Sequence, residues 1–230
     1  MTPKIEFATL ETCGQASDTV VVIDVLRAFT TAACAFGRGA QEILLTSEVK
    51  EALALKDRFP GSQVMGEVNA LAIPEFDYSN SSAEIDELDL ADRRLIQRTS
   101  AGTQGIVRSA GAGMLLGASF VCAAATARYV KALNPKQVTF VITGIYEDRE
   151  GDEDWACAEY LGEVVQGKTP DPKPFLQRVY DSTCGRWFTD PKKPEFPEND
   201  IRIATQIDRF ASAMPVERID GLFVMRPVPA

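Results

Sequence analysis

The side chains best placed for chemistry are carboxylates at the ends of apolar runs. Asp24 interrupts VVVIDVL, residues 20–26, where an ionised carboxylate is costly unless paired, hydrogen-bonded or bound to a cation. One reading is a helix cap or an ion pair with Arg27; the functional reading is a group at a strand end, where open α/β sheets bind ligands. Glu67 closes QVMGE in the same way. Together Asp24 and Glu67 could supply hard oxygen ligands for Mg²⁺, which takes one or two carboxylates and completes its shell with water and phosphate. Thr99, Ser100, Ala101, Gly102 and Thr103 form a small-residue turn between a strand and a helix. Free N–H groups there suit phosphate, although an ordinary turn with a hydroxyl N-cap explains the same residues. It is not a Walker loop, because the spaced Gly-Lys-Ser/Thr ending is missing. Further on, EDREGDED places six carboxylates in the eight residues 147–154, ahead of the helical pattern WACAEYLGEVV. Most of that run reads as solvated charge favoured by the helix dipole, with Glu153 and Asp154, nearest the helix, as metal candidates. In PEFDYSNS, Asp77 and Asn80 are within reach of the same cleft.

The chain contains no histidine, which excludes Ser-His-Asp and Cys-His catalysis and imidazole zinc sites. Its five cysteines are scattered and form no CxxC pair, a pattern expected of a reducing cytosol. Cys122 and Arg128 match the spacing of a cysteine-phosphatase loop, but CAAATAR is helix-forming. The hhhD pattern at Asp24 also resembles phosphatases with an aspartate nucleophile, whose second Asp would fall at Leu26. Lys+Arg 24 against Asp+Glu 33 leaves a net charge of −9 over 230 residues, which argues against a nucleic-acid or anionic-membrane partner. An anionic ligand must therefore be held by local cations, and Arg27, Arg98, Arg149 and Arg226 are the candidates near strand ends or loops, Arg98 having the alternative of the helical layer.

These groups require a scaffold that brings strand ends together. Short β-branched runs alternate with helical patterns: VVVIDVL then FTTAACAFGRG, QEILLT then SEVKEALALKDRF, RRLIQRT then SAGTQGIVRSA, MLLGASF then VCAAATARYVKAL, and QVTFVITG then DEDWACAEYLGEVVQ. The alternation predicts a three-layer α/β/α fold with a mainly parallel sheet, as one domain over residues 1–230. The later chain is rich in Pro and charge, with helical patterns near residues 175–187 and 200–214 and a last strand in GLFVM. There is no apolar leader, and no run reaches the roughly 18 apolar residues that span a bilayer. A cytoplasmic protein is expected, with a homodimer as a base-rate expectation.

In order, VVVIDVLRAFTTAACAFGRGA, MGEVNALAIPEFDYSNSSAE, RTSAGTQGI, LLGASFVCAAATARYV and GDEDWACAEYLGEVVQG resemble the 2-phosphosulfolactate phosphatase (ComB-type) family. The resemblance covers residues 20–167, and more loosely 196–210. It implies an α/β, Mg²⁺-dependent phosphohydrolase that converts 2-phospho-3-sulfolactate and water into 3-sulfolactate and phosphate, a step of coenzyme M biosynthesis. The family's motifs fall on Asp24 and Arg27, on Gly66 and Glu67, on Asp77, Asn80 and Ser81, on Thr99, Gly102 and Thr103, and on Glu153 and Asp154. Ala101 stands where the family often has Asn, so no side-chain role carries over there. The combined expectation is Asp24, Glu67 and Asp154 as catalytic, metal-holding carboxylates with Glu153 beside them. Arg27, Asn80, Thr99, Ser100, Gly102 and Thr103 are then expected to bind substrate. The alternatives are another small anionic phosphomonoester as substrate, or a non-catalytic metabolite- or phosphate-binding protein.

Overall fold

The computed structural model describes residues 2–230. The chain opens with β1 (Lys4–Thr9), β2 (Thr19–Ile23), α1 (Ala28–Gly37), β3 (Glu42–Thr46), α2 (Val49–Arg58), β4 (Gln63–Val68) and β5 (Leu71–Ala72). It continues through α3 (Ser82–Ile85), β6 (Arg94–Arg98), α4 (Gly102–Arg108), β7 (Met114–Ala118), α5 (Ala123–Leu133), β8 (Gln137–Ile142), β9 (Ile145–Tyr146) and β10 (Arg149–Glu150). The remainder is α6 (Asp152–Val165), α7 (Lys173–Asp181), α8 (Thr183–Trp187), α9 (Glu198–Ala204), β11 (Ser212–Ile219), β12 (Leu222–Met225) and β13 (Val228–Pro229). Each β-branched run expected to be a strand is one, and the turn residues after it lead into the expected helix.

The main sheet runs β1-β8-β2-β7-β11-β12-β3-β6-β4-β5, with β13 on β11. Its two blocks, β1-β8-β2-β7 and β3-β6-β4, are parallel. The hairpin β11–β12 joins them through antiparallel pairings on both sides. Residues in register define the two faces. Phe140, Val21, Leu116 and Pro215 share one face, against which α6 packs, with Gly162 beside the Phe140 ring. On the opposite face Gly117 meets Phe29 of α1, and Gly105 of α4 meets Val22. Helices α2, α5 and α6 cover the first face, and α1 and α4 the second, which gives three layers.

The antiparallel joints reverse the chain between blocks, so in a flat sheet the carboxyl ends of β2 and β6 would lie at opposite edges. Five strand-to-strand steps separate them, and at roughly 20–25° of twist per step the rotation exceeds about 100°. The two ends still meet at one site, because the turn after β6 leads into α4, which packs against β2 and β7: a Cβ on Gly102, after β6, would stand 2.7 Å from Asp24 Oδ2, after β2.

Besides the two-residue strands, β1 and β11 fall outside the sequence expectation. Lys4–Thr9 is an edge strand carrying three charged or hydroxyl side chains, so its alternation is weak. The pattern over residues 200–214 is helical only to Ala204; Asp208 then adopts φ 55°, and Met214 lies in β11. The helical pattern over 175–187 is broken at Ser182, whose extended backbone (ψ 158°) ends α7 and whose hydroxyl caps α8 by accepting from Gly185 N–H. Among the described residues, no helix is long and apolar enough to cross a membrane.

A buried ion pair fastens the C-terminal helices to α1. Arg27 Nη1 donates to Asp200 Oδ2 at 3.0 Å, while Asp200 Oδ1 accepts from Ser81 Oγ, Ser82 Oγ and Ala83 N–H. Asp200 is fully buried and Arg27 nearly so, and removing one partner of such a pair strands the other charge. Asp200→Ala is expected to lower stability by about 3–5 kcal/mol, read from urea unfolding; a loss below about 1 kcal/mol would show that the pair is not what fastens these helices.

Candidate functional site

A cavity of about 380 Å³ opens where the ends of β2, β4, β6 and β8 meet the start of α6. Four carboxylates line it: Asp24, Glu67, Glu153 and Asp154. All are at most 6% exposed, and three are held by backbone N–H groups of the turns that follow the strands. Asp24 Oδ1 accepts from Ala28 N–H at 2.9 Å, and the Gly102 N–H also favours its charged form. Glu67 Oε1 accepts from Ser100 N–H and Oε2 from Ala70 N–H, with Ser100 Oγ donating as well. Asp154 Oδ1 accepts from Val25 N–H at 2.8 Å; its Oδ2 takes Gly144 N–H, Thr143 N–H and Thr143 Oγ. Glu153 differs, since its Oε2 is buried without a partner.

Close backbone approach makes this arrangement possible. Gly66 turns β4 toward the cavity at φ +146°, and a Cβ there would overlap the Arg98 carbonyl. Gly102 has no room for a side chain beside Asp24. Asn69 and Ala70, both at positive φ (51° and 67°), form the β4–β5 turn, a conformation that costs a non-glycine residue about 1–3 kcal/mol. Three hydrogen bonds hold the turn: Ala70 N–H to Glu67, Ala70 carbonyl from Arg27 Nη2, and Asn69 N–H to Ser100 Oγ.

Burial raises the proton affinity of the cluster. Desolvation pushes the Asp24 carboxyl up to about 6, with the Glu67 charge adding to it. Desolvation likewise pushes Glu153 up to about 7, with Asp24 contributing. Asp154 is raised well above the carboxylate range by burial, then by the charges of Glu153 and Asp24.

Several sequence expectations change at this point. Asp24, Glu67, Glu153, Asp154, Arg27, Asn80 and Ser100 all line the cavity, whereas Thr99 and Thr103 are buried behind it, stapling the turn to each other. The turn is not an open phosphate seat: the N–H groups of Ser100, Gly102 and Thr103 already serve Glu67, Asp24 and Thr99. Asp154 acts as a brace between the ends of β2 and β8, its oxygens filled by donors. Asp24, Glu67 and Asp154 therefore share a cavity without forming a three-carboxylate cage, and among the described residues no three His, Cys, Asp or Glu side chains group as a metal site. Arg27 is committed to Asp200, Ala70 and Glu195 carbonyls, and the rings of Phe188 and Phe196, so its role as a free substrate cation is corrected to that of a structural tie at the cavity wall. Arg98 serves the Ser47 and Glu67 carbonyls, and Arg226 pairs with Glu42 on the sheet. Asp77 pairs with Lys56 and caps Val64 N–H. Cys122 and Arg128 form no phosphate loop, since the Arg side chain binds the Ala230 carbonyl.

Sequence reasoning missed Lys193, Trp187 and Tyr146, which also line the cavity. The available signal was the clustering of cations and aromatics in GRWFTDPKKPEF, a segment too proline-rich to read as an element.

Buried carboxylates, cations and aromatic rings thus line one cavity at the strand carboxyl ends of an α/β sheet, the place where such sheets bind ligands. The sequence model of the 2-phosphosulpholactate phosphatase family matches residues 7–214, and the chain belongs to that family. It is 35% identical over 191 residues to a probable 2-phosphosulfolactate phosphatase of Bacillus subtilis, covering 83% of each chain. A protein of the same description from Thermoplasma acidophilum is 35% identical over 207 residues, 90% of this chain and 89% of that one. The counterpart in Deinococcus radiodurans is 37% identical over 149 residues, 64% of this chain and 62% of that protein.

The raised carboxyls have a signature in pH. Folded Asp24 and Glu153 keep their protons to about pH 6 and 7, whereas unfolded carboxyls release theirs near pH 4. The folded state thus binds more protons between those values, and metal-free protein is expected to lose stability as pH rises from about 5 to about 7. With no histidine in the chain, few other groups titrate in that window. Thermal unfolding in EDTA checks this: a falling Tm is expected, less steep in Asp24→Asn, where Glu153 still titrates, and a level profile in the wild type contradicts the raised values.

Proposed function

We propose that the chain is a Mg²⁺-dependent phosphatase of a small, multiply acidic phosphomonoester, 2-phospho-3-sulfolactate, releasing 3-sulfolactate and phosphate as in coenzyme M biosynthesis. The observation that carries the reading is the cavity itself: buried carboxylates on one side, cations with unused N–H groups on the other, at the strand ends of a chain whose relatives bear that substrate in their names.

The residues present suit Mg²⁺ held by few protein ligands and several waters. Glu67 and Asp154 have their oxygens engaged by protein donors, whereas Glu153 Oε2 is a buried acceptor with nothing to accept from. Asp24 and Glu153 are the residues that would hold the metal, with Glu67 and Asp154 as charged neighbours. When bound, it supplies the positive charge that phosphoryl transfer needs in a site this acidic.

The chain's own residues do the rest. Asp24 is aimed by Ala28 and Gly102 at the ends of two strands. Asp154 fixes the β8 end, so that Thr143 and Gly144 form a rigid wall. Arg27 has two hydrogen-bonding groups used by Asp200 and carbonyl oxygens, and it sets the distance between the carboxylates and the aromatic residues Phe188 and Phe196. Arg149, whose charge favours the ionised forms of Asp24 and Glu153, offsets part of their negative field and helps draw an anionic substrate into an otherwise repulsive site.

The test is phosphate release from 2-phospho-3-sulfolactate and from a panel of phosphomonoesters, with Mg²⁺ or EDTA. Turnover is expected only with the metal, and Asp24→Asn is expected to reduce kcat by roughly 100-fold or more while the circular dichroism spectrum stays folded. Full activity of Asp24→Asn would remove Asp24 from the chemistry; no release from any ester by folded, Mg²⁺-loaded wild type would favour a binding protein.

A further inference from the structure

One wall of the cavity is built by residues 183–196 and the β9–β10 hairpin, and it holds cations in an unusual way. Trp187 is their shared platform: the Arg149 guanidinium carbon lies 5.2 Å from its ring centroid and Lys193 Nζ lies 5.0 Å from it. Tyr146 takes Arg149 at 4.1 Å, and Phe196 lies 5.7 Å from Lys193 Nζ. A ring face attracts a cation without using up its N–H groups as a carboxylate would, so position is fixed while donors stay available.

Those donors lack protein acceptors. Arg149 Nε is buried with no hydrogen-bond partner. Its ion-pair partner, Asp148 at 3.7 Å, is 73% exposed, and Asp24 and Glu153 act on it only through their charge. Among the described residues Lys193 makes no ion pair or side-chain hydrogen bond, and its contacts are the two rings. Buried donors are nearly always satisfied, and both side chains line the same cavity as Asp24 and Glu153. Arg27, the third cation there, is already paired with Asp200.

We propose that Arg149 and Lys193, aligned on Trp187, form the subsite for one of the substrate's two acid groups that are not transferred, its carboxylate or its sulfonate, and that Lys193 selects for substrates carrying such a group. The inference deepens the phosphatase reading and rests on it. Sulfonate and carboxylate share the required chemistry, since both present oxygens to charged N–H donors. A lysine contributes a single compact charge at the outer end, and Arg149 a planar fork nearer the carboxylates.

Two measurements on the full chain with Mg²⁺ test it. In kinetics, Lys193→Ala is expected to raise KM for 2-phospho-3-sulfolactate by roughly 10- to 100-fold, with a loss of kcat/KM at least about tenfold larger than for methyl phosphate. Lys193→Arg should recover most of it. Equal losses on the two esters would overturn the assignment while leaving the phosphatase reading intact. In binding, 3-sulfolactate and malate are titrated against tryptophan fluorescence and calorimetry, and their ranking separates sulfonate from carboxylate preference. Weaker binding in both Lys193→Ala and Arg149→Ala is expected. Unchanged affinity, or no binding of either acid by the wild type, would overturn the subsite. Wild type that binds 3-sulfolactate through Lys193 yet hydrolyses no ester would instead sink the phosphatase reading and leave the subsite standing.

Discussion

Four carboxylates buried around one cavity would repel one another and resist desolvation, and the fold is arranged to supply what they need. Asp24, Glu67 and Asp154 take their hydrogen bonds from backbone N–H groups in the turns after β2, β4, β6 and β8. The dependence is mutual, because those N–H groups sit at strand ends and helix starts where they lack partners within their own element. Strand ends that a parallel sheet leaves open are thereby closed by side chains from other strands. The turn after β6, a natural anion seat, is occupied by the protein's own anions.

Closing the site in this way requires that remote strand ends meet. Helix α4 carries the turn after β6 to the end of β2, and the β11–β12 hairpin, contributed by the C-terminal chain, fills the gap between the two parallel blocks. Arg27 and Asp200 connect the same C-terminal region to the start of α1. The last quarter of the chain therefore does two jobs: it completes the sheet, and it brings Trp187, Lys193 and Phe196 to face the carboxylates. One carboxylate oxygen, Glu153 Oε2, and one guanidinium nitrogen, Arg149 Nε, belong to residues that line the cavity and remain buried without protein partners.

Much of this was legible from residue order. The strand at 20–26 and its Asp24, the Gly66-Glu67 strand end, and the acidic start of α6 could be located because apolar period and interruption are local properties. That Asp24 and Glu153 line the cavity was legible because charge stands there where a strand or helix should not tolerate it. The roles of Asp154, Thr99, Thr103 and Arg27 did not follow, because each depends on which donor or acceptor lies opposite. A carboxylate filled by Val25, Thr143 and Gly144 and one left open, as in neighbouring Glu153, are indistinguishable in sequence.

What the sequence determined by itself was the α/β alternation, the exclusion of histidine chemistry, the family and the set of carboxylates near strand ends, since all of these depend on composition, short-range period and ordered motifs. The tertiary structure alone decided which carboxylates are braces and which are open, that Asp200 rather than substrate takes Arg27, and that Lys193 and Trp187 belong to the site. Those outcomes rest on pairings across long stretches of chain, as with Arg27 and Asp200 at a separation of 173 residues. Only the twisted sheet, with its central antiparallel hairpin, sets the distances at which such groups satisfy or abandon one another.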